Sequence, residues 1–214
     1  NTTAADNTAV GKGSLTANTT GSANAAVGAL ALTANTTGNY NVAVGGSALA
    51  ANTTAENNIA IGLNAMATNT TGEHNVAIGR DALTANTTAA NNTAVGKDAL
   101  KANTTGSENV AVGTSALLVS TTADNNTSVG HESLTANTTG ANNVAVGYRT
   151  LYVNTTGGSN VAIGSGNALG ANTTASNNVA VGNAALAANT TGASNIGIGL
   201  SLIHISEPTR QAEI

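Results

Sequence analysis

Residues 69–85, Asn69-Thr70-Thr71-Gly72-Glu73-His74-Asn75-Val76-Ala77-Ile78-Gly79-Arg80-Asp81-Ala82-Leu83-Thr84-Ala85, are one copy of a motif that fills almost the whole chain. Asn-Thr-Thr opens further copies at Asn1, Asn18, Asn35, Asn52, Asn86, Asn103, Asn137, Asn154, Asn172 and Asn189, and Ser120 replaces the Asn once. The period is 17 residues, with a single 18-residue step from Asn154 to Asn172. A fixed period of this length is the signature of a stacked repeat fold. Positions below are counted from the Asn of Asn-Thr-Thr.

Two columns never change. Position 7 is Asn7, Asn24, Asn41, Asn58, Asn75, Asn92, Asn109, Asn126, Asn143, Asn160, Asn178 and Asn195. Position 11 is Gly11, Gly28, Gly45, Gly62, Gly79, Gly96, Gly113, Gly130, Gly147, Gly164, Gly182 and Gly199. Position 10 is always Val or Ile, and position 15 is Leu except at Met66. Every charge of the repeat array falls at positions 5, 6, 12, 13 or 16, as do Tyr40, Tyr148 and Tyr152. Charges belong in water, so these positions are expected to mark the outward corners of one structural unit.

Asn-Val-Ala-Ile-Gly alternates with period two, which suits a short strand with β-branched residues on one face. Positions 15 and 17 suggest a second short strand, and Gly and Asn-Thr-Thr supply the turns. A helix lacks an unbroken stretch long enough to form. The expected fold is all-β: a parallel β-solenoid or β-roll of twelve 17-residue coils, roughly 55 to 60 Å long at the strand spacing. Like residues then stack on like. The Asn column can pass amide hydrogen bonds along the rod, and the Val/Ile and Leu columns are expected to form the core. The small residues at positions 9 and 14 are expected to face outward. Such a surface would pack closely against another chain, so the expected assembly is a homotrimer.

Composition excludes several classes. Charged residues are 7% and aromatic residues 1%, with no Cys and a net charge of −4. Disulfide and thiol chemistry are therefore excluded, and there is no basic surface for nucleic acid or an acidic membrane. No apolar run approaches the ~18 residues of a membrane span.

Asn58-Ile59-Ala60-Ile61-Gly62, Asn75-Val76-Ala77-Ile78-Gly79 and Asn160-Val161-Ala162-Ile163-Gly164 resemble the head-domain repeats of trimeric autotransporter adhesins. The full Asn-Thr-Thr-Gly form is also similar to repeats of phage tail-fibre-like proteins. The resemblance spans residues 1–199 and implies a left-handed β-roll, three chains side by side, on a cell surface or a virion. The repeat stops at Gly199. Leu200-Ser201-Leu202-Ile203-His204-Ile205-Ser206-Glu207-Pro208-Thr209-Arg210 resembles a translated sequencing adaptor. Residues 200–214 are accordingly expected to be a disordered tail foreign to the protein, and residues 1–199 a fragment of a longer chain.

Few residues suggest chemistry. His74 and His131 sit at variable positions, and a solvated loop histidine is the expected role of each. Their neighbours Glu73 and Glu132 would point away from them on a strand. Gly164-Ser165-Gly166 misses the phosphate-loop spacing, because Leu169 stands at the third glycine site, and a bulge is expected there instead. No catalytic set recurs, so no enzyme, metal or cofactor is expected. Asn-Thr-Thr is formally an N-glycosylation sequon, and Asn91, Asn125 and Asn126 begin others. The expected function is a structural and adhesive fibre segment, a stiff extracellular rod displaying a surface for a host protein or glycan. Tyr148, Arg149 and Tyr152 form the densest candidate contact. The alternative is an ice-binding solenoid using Thr ladders, which requires a turn that places both Thr of Asn-Thr-Thr outward.

Overall fold

The computed structural model describes residues 4–200, and the expected disordered tail of residues 200–214 lies outside them except for Leu200. Each coil contributes one three-residue strand at positions 8–10, where β-branched residues flank a small one. The strands are β1 (Thr8–Val10), β2 (Ala25–Val27), β3 (Val42–Val44), β4 (Ile59–Ile61), β5 (Val76–Ile78), β6 (Thr93–Val95), β7 (Val110–Val112), β8 (Thr127–Val129), β9 (Val144–Val146), β10 (Val161–Ile163), β11 (Val179–Val181) and β12 (Ile196–Ile198). They form a single twelve-stranded sheet in sequence order. All pairs are parallel and in register with the repeat, as in Val42↔Ile59, Ala43↔Ala60 and Val44↔Ile61. This is the all-β parallel solenoid that the period implies. Among the described residues no helix is long and apolar enough to cross a membrane.

The inside and outside of the coil differ from the expectation. Beyond the first coil position 9 is buried, as at Ala43, Ala60 and Ala77, and so is position 14, as at Ala48, Ala65 and Ala82. They share the core with the Leu column and Met66. Val and Ile at positions 8 and 10 face outward instead: Ile59, Ile61 and Ile78 are all 37–38% exposed. The reason is room. A Cβ added to Gly197, which stands at position 9, would meet Leu186 Cγ at 2.6 Å. The strand therefore faces Leu across a narrow interior, and only a small residue fits beside it. One coil makes the same point chemically, since Ser128 at position 9 and Ser133 at position 14 hydrogen-bond to each other in the core. The outward Ala surface that suggested a homotrimer is thus absent, and an outward Val/Ile surface takes its place.

Among the described residues no second strand forms at positions 15–17. Leu32, Leu49, Leu83 and Leu100 instead have φ of 51°, 50°, 51° and 49°. A left-handed residue costs about 1–2 kcal/mol. Burying a Leu side chain returns roughly 1.5–3 kcal/mol. The conformation also keeps the ladder intact, because Leu32 N donates to Ala48 O (2.9 Å) and Leu49 N to Ala65 O (3.0 Å). Position 11 requires Gly on two counts: Gly28 has φ of 136°, and a Cβ there would meet Gly45 O at 2.6 Å.

Two buried Asn columns tie each turn to its strand. At position 7, the Asn41 backbone N–H donates to Asn24 Oδ1 (2.9 Å), and Asn41 Nδ2 donates to the same atom (3.2 Å). At position 1, Asn52 Nδ2 donates to Asn35 Oδ1 (3.0 Å). The two columns share an acceptor, since Ala55 O receives Nδ2 of both Asn41 (2.8 Å) and Asn52 (3.1 Å). Sequence reading assigned position 1 to the turn alone and missed its ladder.

Candidate functional site

The coil interior is nearly uniform, so distinctive chemistry sits at the corners. The corner that follows the strand carries positions 12 and 13, with position 16 beside it. Tyr148, Arg149 and Tyr152 converge there after β9. The Arg149 guanidinium carbon lies 5.3 Å from the Tyr148 ring centroid and 4.8 Å from that of Tyr152. Cation–π contact at these distances holds a guanidinium over a ring face. The preceding coil adds two residues that sequence reading set aside. His131 stacks on Tyr148 with ring centroids 5.7 Å apart, and Arg149 Nε donates to Glu132 Oε2 (2.6 Å). That hydrogen bond is the main reason the Arg149 pKa is raised above its ordinary value. The signal was available in the numbering. His131 and Tyr148, like Glu132 and Arg149, stand one 17-residue period apart, and a period is one coil of height.

His131 and Glu132 lie in a turn rather than on a strand, and His131 Nδ1 comes within 4.0 Å of Glu132 Oε2; His74 and Glu73 repeat this arrangement. Among the described residues no group of three or more His, Cys, Asp or Glu could hold a metal ion.

The next coil carries the one insertion. It is absorbed after β10, since Val161 still pairs with Val179 and Ile163 with Val181. Gly166 and Asn167 take φ of 66° and 78°. In regular coils the position-13 N–H donates to the position-12 carbonyl of the coil before, as Arg149 N does to His131 O (3.1 Å). Among the described residues no such bond reaches the Tyr148 carbonyl. Among the described residues, the aromatic cluster therefore adjoins the one break in that rung.

A second cluster on the same corner is closed on itself. Asp81 is 7% exposed, against the expectation that position 13 is an outward site. It accepts from Asn64 Nδ2 (3.0 Å) and Arg80 Nε (3.1 Å), with Lys101 Nζ at 3.9 Å. The Asn64 hydrogen bond leads the causes that lower its pKa below the ordinary 3.8. Lys101 also pairs with Asp98 (2.9 Å), and chiefly that bond raises its own pKa.

From Asn18 to Asn172 the Asn of the Asn-Thr-Thr sequons is buried, and its Nδ2 is already engaged, as at Asn35, where it donates to both Asn18 Oδ1 and Gly38 O. A glycan there would need the ladder undone; Asn126 is buried too, while Asn91 and Asn125 are exposed. The two Thr also differ. Thr36 Oγ1 at position 2 donates to Thr53 O (3.0 Å) and is half-buried, whereas Thr37 at position 3 is exposed. No protein-family model matches the chain, and neither a curated protein nor a solved structure matches it.

Proposed function

We propose that the chain is a segment of a structural and adhesive fibre, a stiff extracellular rod of a bacterial adhesin or phage tail fibre that works without catalysis. One observation carries the reading: twelve in-register coils repeat the buried positions with few substitutions, while variation is concentrated at the corners. Such a solenoid is quasi-one-dimensional, and its natural use is to span distance and present side chains at set heights. The contact surface in this reading is the Tyr148–Arg149–Tyr152 corner, extended by His131 and Glu132. Aromatic and Arg side chains are the usual anchors of recognition, and a host-surface protein or glycan is the partner. The fibre is a homotrimer in this reading, with no nucleic acid and no direct membrane contact in this segment. Binding of the purified chain to host cells and to a glycan array tests the corner. Tyr148→Ala with Tyr152→Ala should abolish binding with the β-sheet circular dichroism unchanged; full retention would remove the corner from the reading.

An ice-binding solenoid would have to act through the exposed position-3 Thr column alone, because the position-2 hydroxyls serve the coil-to-coil ladder. Thermal hysteresis of the purified chain separates the two readings.

A further inference from the structure

Buried hydroxyls are confined to two neighbouring coils. Among the described residues they belong to Ser120, Ser128, Ser133 and Thr150, each 0% exposed. Three of them are satisfied from within their own coil. Ser128 Oγ donates to Ser133 O (2.9 Å), the Ser128 and Ser133 hydroxyls share a hydrogen bond, and Thr150 Oγ1 donates to Gly147 O (3.2 Å). Ser120 Oγ has no partner. A buried polar group in that state calls for an explanation.

The intact rungs show what Ser120 fails to do. Asn52 Nδ2 donates to Asn35 Oδ1 and to Ala55 O, while Asn52 Oδ1 accepts from Asn69 Nδ2 (3.1 Å). One amide thus makes three hydrogen bonds at every regular position 1. At the Ser120 rung each of the three corresponding groups lacks that bond. Asn103 Oδ1 has no partner at all. Ala123 O receives Asn109 Nδ2 (2.8 Å), without the second amide that Ala55 O receives. Asn137 Nδ2 donates to Gly140 O (2.9 Å) and to no residue of the coil before.

The coils do not close over the shorter side chain. Thr104 N donates to Thr121 O (2.9 Å) and Thr121 N to Thr138 O (3.2 Å), much as Thr36 N donates to Thr53 O (2.8 Å) in an intact region. The neighbouring Val119 is exposed and so does not turn in to take up the room of the amide.

We infer that the Ser120 rung binds one internal water in place of the missing amide. Internal waters settle where several buried polar groups lack partners and the site is roomy enough for one molecule. Two acceptors, Asn103 Oδ1 and Ala123 O, take the two hydrogens of the water. Its oxygen accepts from the Ser120 hydroxyl, which both donates and accepts. The mixed set selects water over an ion. A cation would leave the Ser120 and Asn137 hydrogens opposed to positive charge, and an anion would face two carbonyl oxygens. The water is less favourable than the amide it replaces, because it must be immobilised and the amide is already tethered. The rung therefore remains a weak point of the ladder with its polar atoms paired. This inference concerns the interior of the rod and is independent of the adhesive reading.

Oxygen-17 magnetic relaxation dispersion, run over a range of temperature, counts long-lived internal waters in the intact chain. Ser120→Asn should lower the dispersion amplitude by that of one water per chain, because the amide reoccupies the rung. Asn69→Ser should raise it by the same amount, because it creates the same arrangement of acceptors between Asn52 and Asn86. Equal amplitudes for the parent and a Ser120→Asn chain of unchanged circular dichroism overturn the inference. If Ser120→Asn does not fold, Asn69→Ser decides alone, and an unchanged amplitude overturns the inference. A crystal structure gives the position: the expected density lies within hydrogen-bond reach of both Asn103 Oδ1 and Ser120 Oγ. A direct hydrogen bond between those two atoms, with no density beside them, overturns the inference as well.

Discussion

The position-1 Asn ladder is continuous through one part of the rod and interrupted in another. From Asn35 through Asn103 each Nδ2 donates to the Oδ1 of the Asn one coil before, at 2.8–3.1 Å. In the next coil Ser120 takes the place of Asn, and its side chain is too short to reach. Among the described residues, Asn103 Oδ1 and Ser120 Oγ are the buried side-chain atoms left without a partner. The ladder resumes at Asn154, whose Nδ2 donates to Asn137 Oδ1 (2.9 Å). The backbone hardly notices, because Ser120 N still donates to Leu117 O (3.3 Å), as Asn103 N does to Leu100 O (3.1 Å). The contrast separates two roles of the column: the coil can close without the amide, while the amide keeps the turn's interior polar groups paired.

Three changes would break or sharpen that contrast. The largest effect is expected from Leu83→Ala in the unbroken region, where Leu83 is fully buried. A cavity there should cost about 2–5 kcal/mol, measured by urea unfolding, because the core and not the ladder supplies most of the stability. Next in size is the ladder itself. Asn69→Ser should copy the Ser120 break and cost about 1–3 kcal/mol, the penalty of an orphaned buried acceptor. Ser120→Asn should act in the opposite sense, raising stability by roughly 1 kcal/mol and slowing amide exchange around Asn103 and Asn137. Equal unfolding midpoints for Asn69→Ser, Ser120→Asn and the parent would mean that the amide column is energetically idle.

The smallest effect is expected from pH. The Asp81 pKa is lowered in the folded chain from the ordinary 3.8, so the unfolded state takes up a proton first as pH falls. The contribution of Asp81 is complete above the unfolded value and disappears as pH drops through the lower folded one. Asp81→Asn should flatten the acid limb of a stability–pH profile, and an unchanged limb would assign the acid sensitivity elsewhere.

The period carried much of the fold. Asn-Val-Ala-Val-Gly at constant spacing, with glycine where the next coil's carbonyl leaves no space for a Cβ, led directly to one short strand per coil stacked in parallel. The candidate corner was half legible. Tyr148, Arg149 and Tyr152 are close in sequence, whereas His131 and Glu132 reach them only through the stacking of one coil on the next. The position-1 ladder was hidden for another reason: Asn in Asn-Thr-Thr is also a good turn residue, and local chemistry cannot tell a turn Asn from one whose side chain faces inward.

The linear chain by itself determined the repeat height, the strand and its parallel neighbours, because a strict 17-residue period can stack only like upon like. The tertiary structure alone decided which side of the strand is inside. Alternation defines two faces but does not label them, and hydrophobicity favoured Val and Ile over Ala for the interior. The width of the closed coil overruled that preference. With Leu turned inward by a left-handed backbone, the space opposite admits a methyl group, and the larger β-branched side chains are left on the outer face.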